Sequence, residues 1–363
     1  MRTKDLNNQS HWNTKWMAEG KDTWRKYHKI NAQELEFISN DSKLIDLGCG
    51  NGYFLGQVKE KKNNMVLMGL DISSVGIAQL NEFYGPTQLK IMENFDNFVP
   101  EIAWNVPTYG TWFYKKDKEW TRECLDLVRE NALGIIARSH SVCDCLRQEG
   151  IDREIKLIPG CADTSIFQKR EKPLEWKDTK VLLFIGRVSY QKGLFDIFHT
   201  FVNAAVNNSV LIYVGPFDEN ARDISIIKKW ILLLGMEKRV LFFHTVDPLK
   251  IHEIYNWGDV FITMPNSDMM FTEQIGFTVP QALASGLPVI TYDYGGQSEF
   301  IDSKVGFKAQ YKNYRQAGQK LRELFTDENL LKEMSNNARN KAVGHFSSDL
   351  FAKEIKSYYS SLL

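Results

Sequence analysis

Apolar and polar positions along this chain switch repeatedly between two patterns. Runs such as VLLFI at 181–185 and VLIYV at 210–214 are apolar on both faces, as in strands covered from both sides. Between such runs, apolar positions recur three and four apart, the spacing of an amphipathic helix. In the first half the pattern predicts strands over 44–47, 65–70, 102–106, 134–137 and 155–158. Helices are predicted over 53–61, 75–83, 118–130 and 141–149. The charged stretch QKREKPLEWKDTK, which carries Pro173, reads as a linker. The second half predicts strands over 181–185, 210–214, 240–243, 260–263 and 288–291. Its helices are expected over 193–205, 224–234, 249–257 and 278–285, and DLFAKEIKSYYSSLL closes the chain as an amphipathic helix. Strand and helix alternate throughout, which argues for an α/β fold with parallel sheets.

With 363 residues the chain exceeds one hydrophobic core, so two domains are expected, over 1–170 and 178–344. Composition is that of a globular protein, 43% apolar and 25% charged. Forty-five basic residues balance 45 acidic ones, so net charge gives no reason to expect a nucleic-acid partner. Peripheral membrane contact through a local basic patch stays open. The polar start and the absence of a long apolar run predict a cytoplasmic protein. The five cysteines have no framework spacing and read as reduced thiols.

Candidate chemistry concentrates in the second half. In VLLFIGRVSYQKGL, a buried strand ends at Gly186 and is followed by Arg187 and Lys192. Parallel α/β sheets bind ligands at this end of their strands. Two cations there suit a diphosphate, each near-contact charge pair being worth on the order of 4 kcal/mol at an effective dielectric near 20. Further on, FTEQIGFTVPQALASGLPVI places Glu273 eight positions before Gln281. Between them Gly276, Phe277 and Thr278 lead into a helix, whose free N–H groups favour an anion. Thr278 is the expected N-cap, Pro280 lies in the first turn, and Gly286 closes the helix. His244 and His252 read as packing or surface histidines, and KKWILLLGMEKR as a packed helix with basic flanks.

These motifs, taken with VGP at 214–216 and YGGQSEFI at 294–301, resemble glycosyltransferase family 4. This is a retaining group with two Rossmann-like domains facing across a cleft, the GT-B arrangement, and the likeness spans Lys180 to Phe307. It implies a nucleotide-diphosphate sugar as donor and a glycan or lipid-linked acceptor. Arg187 and Lys192 would neutralise the leaving diphosphate, and Glu273 would hold hydroxyls of the transferred sugar. Gly186 would shape the turn, backbone amides of Gly276, Phe277 and Thr278 would approach sugar and phosphate, and Thr245 and Val246 would lie near the base. No metal is implied, because the cations replace it. Gln281 departs from the family's second glutamate and weakens one ribose contact by about 1 kcal/mol.

The first half carries a different signature. KLIDLGCGNGYFL runs from a strand through Asp46, Gly48 and Gly50 toward a helix, and the next strand ends at Asp71. This resembles the start of a class I S-adenosylmethionine-dependent methyltransferase, over about residues 10–85. The resemblance makes Asp46, Gly48, Gly50 and Asp71 candidate S-adenosylmethionine ligands, and Glu93 and Asp96 weak candidates for an adenine-side acid. Beyond that stretch, ALGIIARSHSVCDCLRQEGIDREIKLIPGCADTSIF resembles the close of a family 4 acceptor domain. The helix over 345–363 resembles the segment that returns to complete that domain. The N-terminal domain is thus expected to be abbreviated and composite, its five strands able to share one sheet. Two alternatives to sugar transfer stay open: a methyltransferase or bifunctional methyl- and glycosyltransferase, and a non-catalytic fusion that only binds nucleotide.

Overall fold

The computed structural model describes residues 43–47, 66–70, 101–102, 125–126, 128–130, 132–266, 273 and 276–362, the first three stretches as backbone. The chain divides into two compact units, Met1–Asp96 and Asn97–Leu363.

In the first unit, β1 (Lys43–Leu47) pairs in parallel with β2 (Val66–Leu70), with Asp46 opposite Gly69 and Leu47 opposite Leu70. The helices expected over 53–61 and 75–83, and the candidates Gly48, Gly50, Asp71, Glu93 and Asp96, lie outside the described residues.

The second unit holds two parallel sheets. The smaller has the order β3 (Glu101–Ile102), β4 (Ile135–Ala137), β5 (Ile155–Leu157). Helix α1 (His140–Gln148) follows β4, capped by Ser139, whose hydroxyl accepts the Val142 N–H at 3.2 Å. A second cap comes from far along the chain, where the Glu299 carboxylate accepts the His140 and Ser141 N–H groups at 2.8 and 3.2 Å. An acidic group belongs at this positive helix end.

The larger sheet contains β6 (Lys180–Ile185), β7 (Ser209–Val214), β8 (Val240–Phe243), β9 (Val260–Thr263), β10 (Val289–Tyr292) and β11 (Gly306–Ala309). Their order is β11-β10-β9-β6-β7-β8. The connections contain α2 (Leu194–Ala204), α3 (Arg222–Leu233), α4 (Ile251–Tyr255), α5 (Thr278–Ala284) and α6 (Tyr314–Thr326). Two further helices, α7 (Glu328–His345) and α8 (Ser348–Leu362), end the chain. Alternation along the strands divides the core. Leu182, Phe184, Leu211 and Tyr213 pack with α2, α3 and α6, including Phe198, Phe201, Ile227 and Leu321. Val181, Leu183, Ile212 and Val214 face Tyr255 of α4, Val279 and Leu283 of α5, and Ala338 and Ala342 of α7. Both faces are covered, which explains the uninterrupted apolar runs.

Two expectations change here. The stretch 168–180 is packed, not a free linker: Trp176 is buried 6.2 Å from the Trp257 ring, and the Lys172 ammonium bonds to Asp259. Elements β11, α6 and α7 fill a region for which the pattern predicted none. At the C-terminus, α8 packs on Ile136 and Ile158 through Tyr358. The Tyr358 hydroxyl accepts the Ile135 N–H and donates to the Glu154 carbonyl, both at 3.2 Å.

Candidate functional site

A parallel sheet offers a crevice where connections leave neighbouring strands in opposite directions. Here that point lies between β6 and β9, because the chain runs from β6 toward β7 and β8, and from β9 toward β10 and β11.

Glycine geometry shapes the β6 exit. Gly186, at φ +150°, donates its N–H to the Val214 carbonyl at 2.9 Å. A Cβ on Gly215 would lie 2.0 Å from the Gly186 oxygen, so the exits of β6 and β7 touch backbone to backbone. The exposed Arg187 follows, then a 3₁₀ turn over Tyr190–Lys192. Gly193 caps α2 at φ +86°, and a Cβ there would lie 2.0 Å from the Met264 oxygen just beyond β9. Asn266 completes the attachment. Its N–H donates to Gln191 O at 2.9 Å and its side-chain amide to Tyr190 O at 2.5 Å. Lys192 is therefore held from both sides.

Lys192 forms an ion pair with Glu273, 81 residues away, and both side chains are largely buried. The Glu273 carbonyl accepts the Gly296 N–H at 3.0 Å. Gly276 sits at φ +52°, with its Cβ position 2.9 Å from Gln297 Cβ and 3.7 Å from Glu273 Cγ. Gln297 is buried between two strands: its Oε1 accepts the Thr263 hydroxyl at 3.3 Å, and its Nε2 donates to the Thr291 hydroxyl at 3.2 Å. Gln297 and Asn266 position the site without having stood out in the sequence. The signal available for Gln297 was its place in the YGGQSEF motif.

The start of α5 corrects one expectation. Phe277 occupies the N-cap position without a side-chain cap, and Thr278 is the first helical residue. The turn closes through the backbone, the Val279 N–H reaching Gly276 O at 2.8 Å, so no hydroxyl is needed. Gly286, at φ +74°, ends the helix as expected from its conformational freedom. Gln281 Oε1 accepts the hydroxyl of the buried Tyr255 at 2.8 Å, and burial raises the Tyr255 pKa well above its ordinary value.

The sequence candidates are thus only partly gathered. Lys192, Glu273 and Gly276 meet. Arg187 shares the β6 exit but has no hydrogen-bond or ion-pair partner among the described residues. Thr245 and Val246 follow β8, two strands away, with Thr245 exposed and Val246 packed on the core. His244 is exposed and stacks on Phe217 with ring centroids 4.2 Å apart. Among the described residues, no group of three His, Cys, Asp or Glu side chains could hold a metal, and no helix is long and apolar enough to cross a membrane. Among the described residues, Cys143, Cys145 and Cys161 form no disulfide.

The fold is α/β of the GT-B type. Anabaena HepE, solved in complex with UDP and glucose, shares it with TM-score 0.65 at 15% identity, over 89% of this chain and 100% of that one. A sucrose-phosphate synthase from Thermosynechococcus elongatus does so with TM-score 0.63 at 14% identity, over 89% and 99%. Residues 165–341 match the family model for glycosyl transferases group 1. Among curated proteins, the capsular polysaccharide biosynthesis glycosyltransferase CapM of Staphylococcus aureus is 26% identical over 190 residues, 51% of this chain and 47% of CapM. The chain spans about half the length of the curated relatives it matches.

Proposed function

We propose that the chain is a retaining glycosyltransferase that moves a sugar from a nucleotide-diphosphate sugar to a glycan or lipid-linked acceptor. The observation that carries this reading is the Lys192–Glu273 pair at the β6/β9 crevice. A cation and a carboxylate in contact there meet the two ends of such a donor, the diphosphate and the sugar hydroxyls. The complexes of HepE with UDP and with UDP-glucose support a nucleotide-sugar donor. CapM supports a glycan acceptor, and the α-monoglucosyldiacylglycerol synthase of Streptococcus pneumoniae, 23% identical over 62% of this chain and 51% of its own, supports a lipid-linked one.

In this reading Lys192 and Arg187 stabilise the departing diphosphate electrostatically, in place of a metal, as charge develops on the leaving oxygen. Glu273 holds the sugar while its anomeric carbon gains positive character, with backbone amides at Gly276, Phe277 and Thr278 beside it. Thr245 and Val246 receive the base. A panel of nucleotide sugars, read by thermal shift and by hydrolysis, tests the proposal. Selective stabilisation by one of them, with sugar transfer lost in Glu273→Ala, supports it. Transfer that survives Glu273→Ala refutes the site.

A second reading concerns the first unit, which we propose to retain S-adenosylmethionine binding through Asp46, Gly48, Gly50 and Asp71. The parallel register of β1 and β2 favours it: Leu47 lies opposite Leu70, so the glycine segment and Asp71 follow directly from paired strand ends. The compact unit also ends at Asp96, close to where the methyltransferase resemblance stops. Calorimetry with S-adenosylmethionine decides it. Micromolar binding that is lost in Asp71→Ala supports retention, and no heat of binding refutes it.

A further inference from the structure

We infer that Glu299 is a positioning residue for sugar transfer: its carboxylate holds the turn that fixes Glu273 in register with the start of α1, at the carboxyl edges of the two sheets of the second unit. The inference rests on the reading of Glu273 as a donor-site residue and adds a residue with no place among the donor contacts proposed above.

Glu299 lies in a 3₁₀ turn over Gly296–Phe300, just after β10. Gly296, Gln297, Ser298 and Phe300 are buried, and Glu299 alone of the five is exposed. The buried members serve the donor side. Gly296 donates its N–H to the Glu273 carbonyl at 3.0 Å, and Gln297 packs against Gly276 while bonding to Thr263 and Thr291. The Ser298 hydroxyl closes the turn on itself, donating to the Gly295 carbonyl at 2.9 Å. The exposed member serves the smaller sheet. Glu299 Oε2 accepts the His140 N–H at 2.8 Å, and its Oε1 accepts the Ser141 N–H at 3.2 Å. One short, packed turn therefore carries both the bond to Glu273 and the bonds to α1.

Capping α1 does not by itself require Glu299. Ser139 supplies a local cap, its hydroxyl accepting the Val142 N–H and its carbonyl the Cys143 N–H, each at 3.2 Å. The His140 and Ser141 N–H groups stand at an exposed helix end, where water can satisfy such groups. A carboxylate from 159 residues away adds what water cannot, a fixed distance between the larger sheet and the smaller one.

That distance matters because of how the chain crosses between the sheets. It leaves the smaller sheet after β5, and after α7 it returns with α8, which packs on that sheet. The two passages lie side by side: Ala162 donates its N–H to the Phe346 carbonyl at 2.8 Å and accepts the Ser348 N–H at 3.0 Å. Adjacent crossings of this kind form a hinge, where a few residues can absorb a rotation. The Phe300 ring packs edge-on against Phe346 with centroids 4.9 Å apart, which anchors the turn at the crossing. Glu299 adds a second point of attachment, and two points set an orientation that one leaves free. A misplacement of about 1 Å at a reacting centre can cost about 100-fold in rate, so a contact that registers both sheets on Glu273 bears on turnover.

Two variants of the full chain test this. Glu299→Ala removes both acceptors, and Glu299→Gln keeps one at the same reach. Amide hydrogen exchange, resolved by residue in the ligand-free chain, reads the placement. In Glu299→Ala the His140, Ser141 and Gly296 amides are expected to exchange about tenfold faster or more, with β6 and β7 unchanged and a smaller effect in Glu299→Gln. Unaltered exchange at Gly296 overturns the inference, because Glu299 is then only a cap for α1. If Glu299→Ala also loosens β6 and β7, the same comparison in Glu299→Gln decides. Hydrolysis of the nucleotide sugar that gives the largest thermal shift supplies the functional readout. Its kcat should fall about tenfold or more in Glu299→Ala and recover in part in Glu299→Gln, while KM stays within twofold because Lys192 and Arg187 leave from β6. An unchanged kcat also overturns the inference. The donor reading is judged separately, by the nucleotide-sugar shift of the unmodified chain, and exchange at Gly296 tests the hold of Glu299 on the turn whatever that shift shows.

Discussion

In the proposed reading, Glu273, paired with Lys192, competes with the donor diphosphate for it. Their side chains keep only 19% and 27% of their exposure, so the pair is poorly screened. At contact and an effective dielectric near 20, the gross attraction is about 4 kcal/mol. Desolvation and lost side-chain freedom reduce the net value, leaving about 1–2 kcal/mol for a pair of intermediate exposure. A diphosphate without a sugar must overcome that attraction and the repulsion of the Glu273 carboxylate, and gains no hydroxyl contact in return. Glu273→Gln removes both obstacles while keeping the side-chain shape. UDP affinity should therefore rise about tenfold, at about 1.4 kcal/mol per decade. Sugar transfer should move the other way, dropping about 30- to 100-fold with the loss of a charge-assisted hydrogen bond worth about 2–3 kcal/mol. Titration calorimetry with UDP at low and high salt measures the first effect, which added salt should shrink. Initial rates with the preferred nucleotide sugar measure the second. Unchanged or weaker UDP binding in Glu273→Gln would falsify the competition, and with it the role of Lys192 as the diphosphate cation.

Other consequences are structural. Gly193→Ala places a methyl group 2.0 Å from the Met264 oxygen at positive φ; strain and overpacking together should cost about 2–5 kcal/mol in urea unfolding, and a loss below about 1 kcal/mol contradicts the packing. Tyr358→Phe removes a hydroxyl that bridges the Ile135 N–H and the Glu154 carbonyl, groups that also bond to each other at 2.8 Å, and should cost about 0.5–1.5 kcal/mol, so an unshifted denaturation midpoint counts against docking of α8 through this residue. Burial lowers the His199 pKa in the folded chain, where Trp230 and Tyr314 flank the ring and Asp196 opposes the shift. The unfolded chain then binds more protons below pH about 6.5, so stability should fall as pH drops through that value. His199→Gln should flatten this part of the profile, and an identical profile in the variant excludes the group.

Strands β6 to β10 were legible because both of their faces are buried, which leaves runs that no helix period interrupts. Helix α7 escaped notice because the large apolar residues it packs inward, Leu330, Leu331 and Met334, lie only in its first turns, and beyond them it buries only the small Ser335, Ala338 and Ala342. Its start was nonetheless marked by Asp327, whose carboxylate accepts the Leu330 N–H at 2.9 Å. In α6, Gly318 lies against the Thr200 carbonyl, so close helix packing there registers in the sequence only as a helix-weakening glycine. The site shows the same division. The glycines and cations could be read locally, whereas Asn266 and Gln297 are ordinary polar residues whose part depends on strands that come together only in the fold.

Gln281 shows what local reading leaves out. As an isolated departure from the family's glutamate, it looks like a simple loss of charge assistance. In the fold its oxygen already accepts a hydrogen bond from Tyr255, a phenol with no exposure that sits under α5. The amide oxygen satisfies Tyr255, and the NH₂ group of the same side chain is by nature a donor. In the proposed donor site Gln281 therefore serves a ribose hydroxyl as a donor, its oxygen being already taken by Tyr255. The proposed ribose contact is narrowed toward donation, and the tyrosine that narrows it also reaches the Thr278 carbonyl at the start of the same helix, at 3.4 Å.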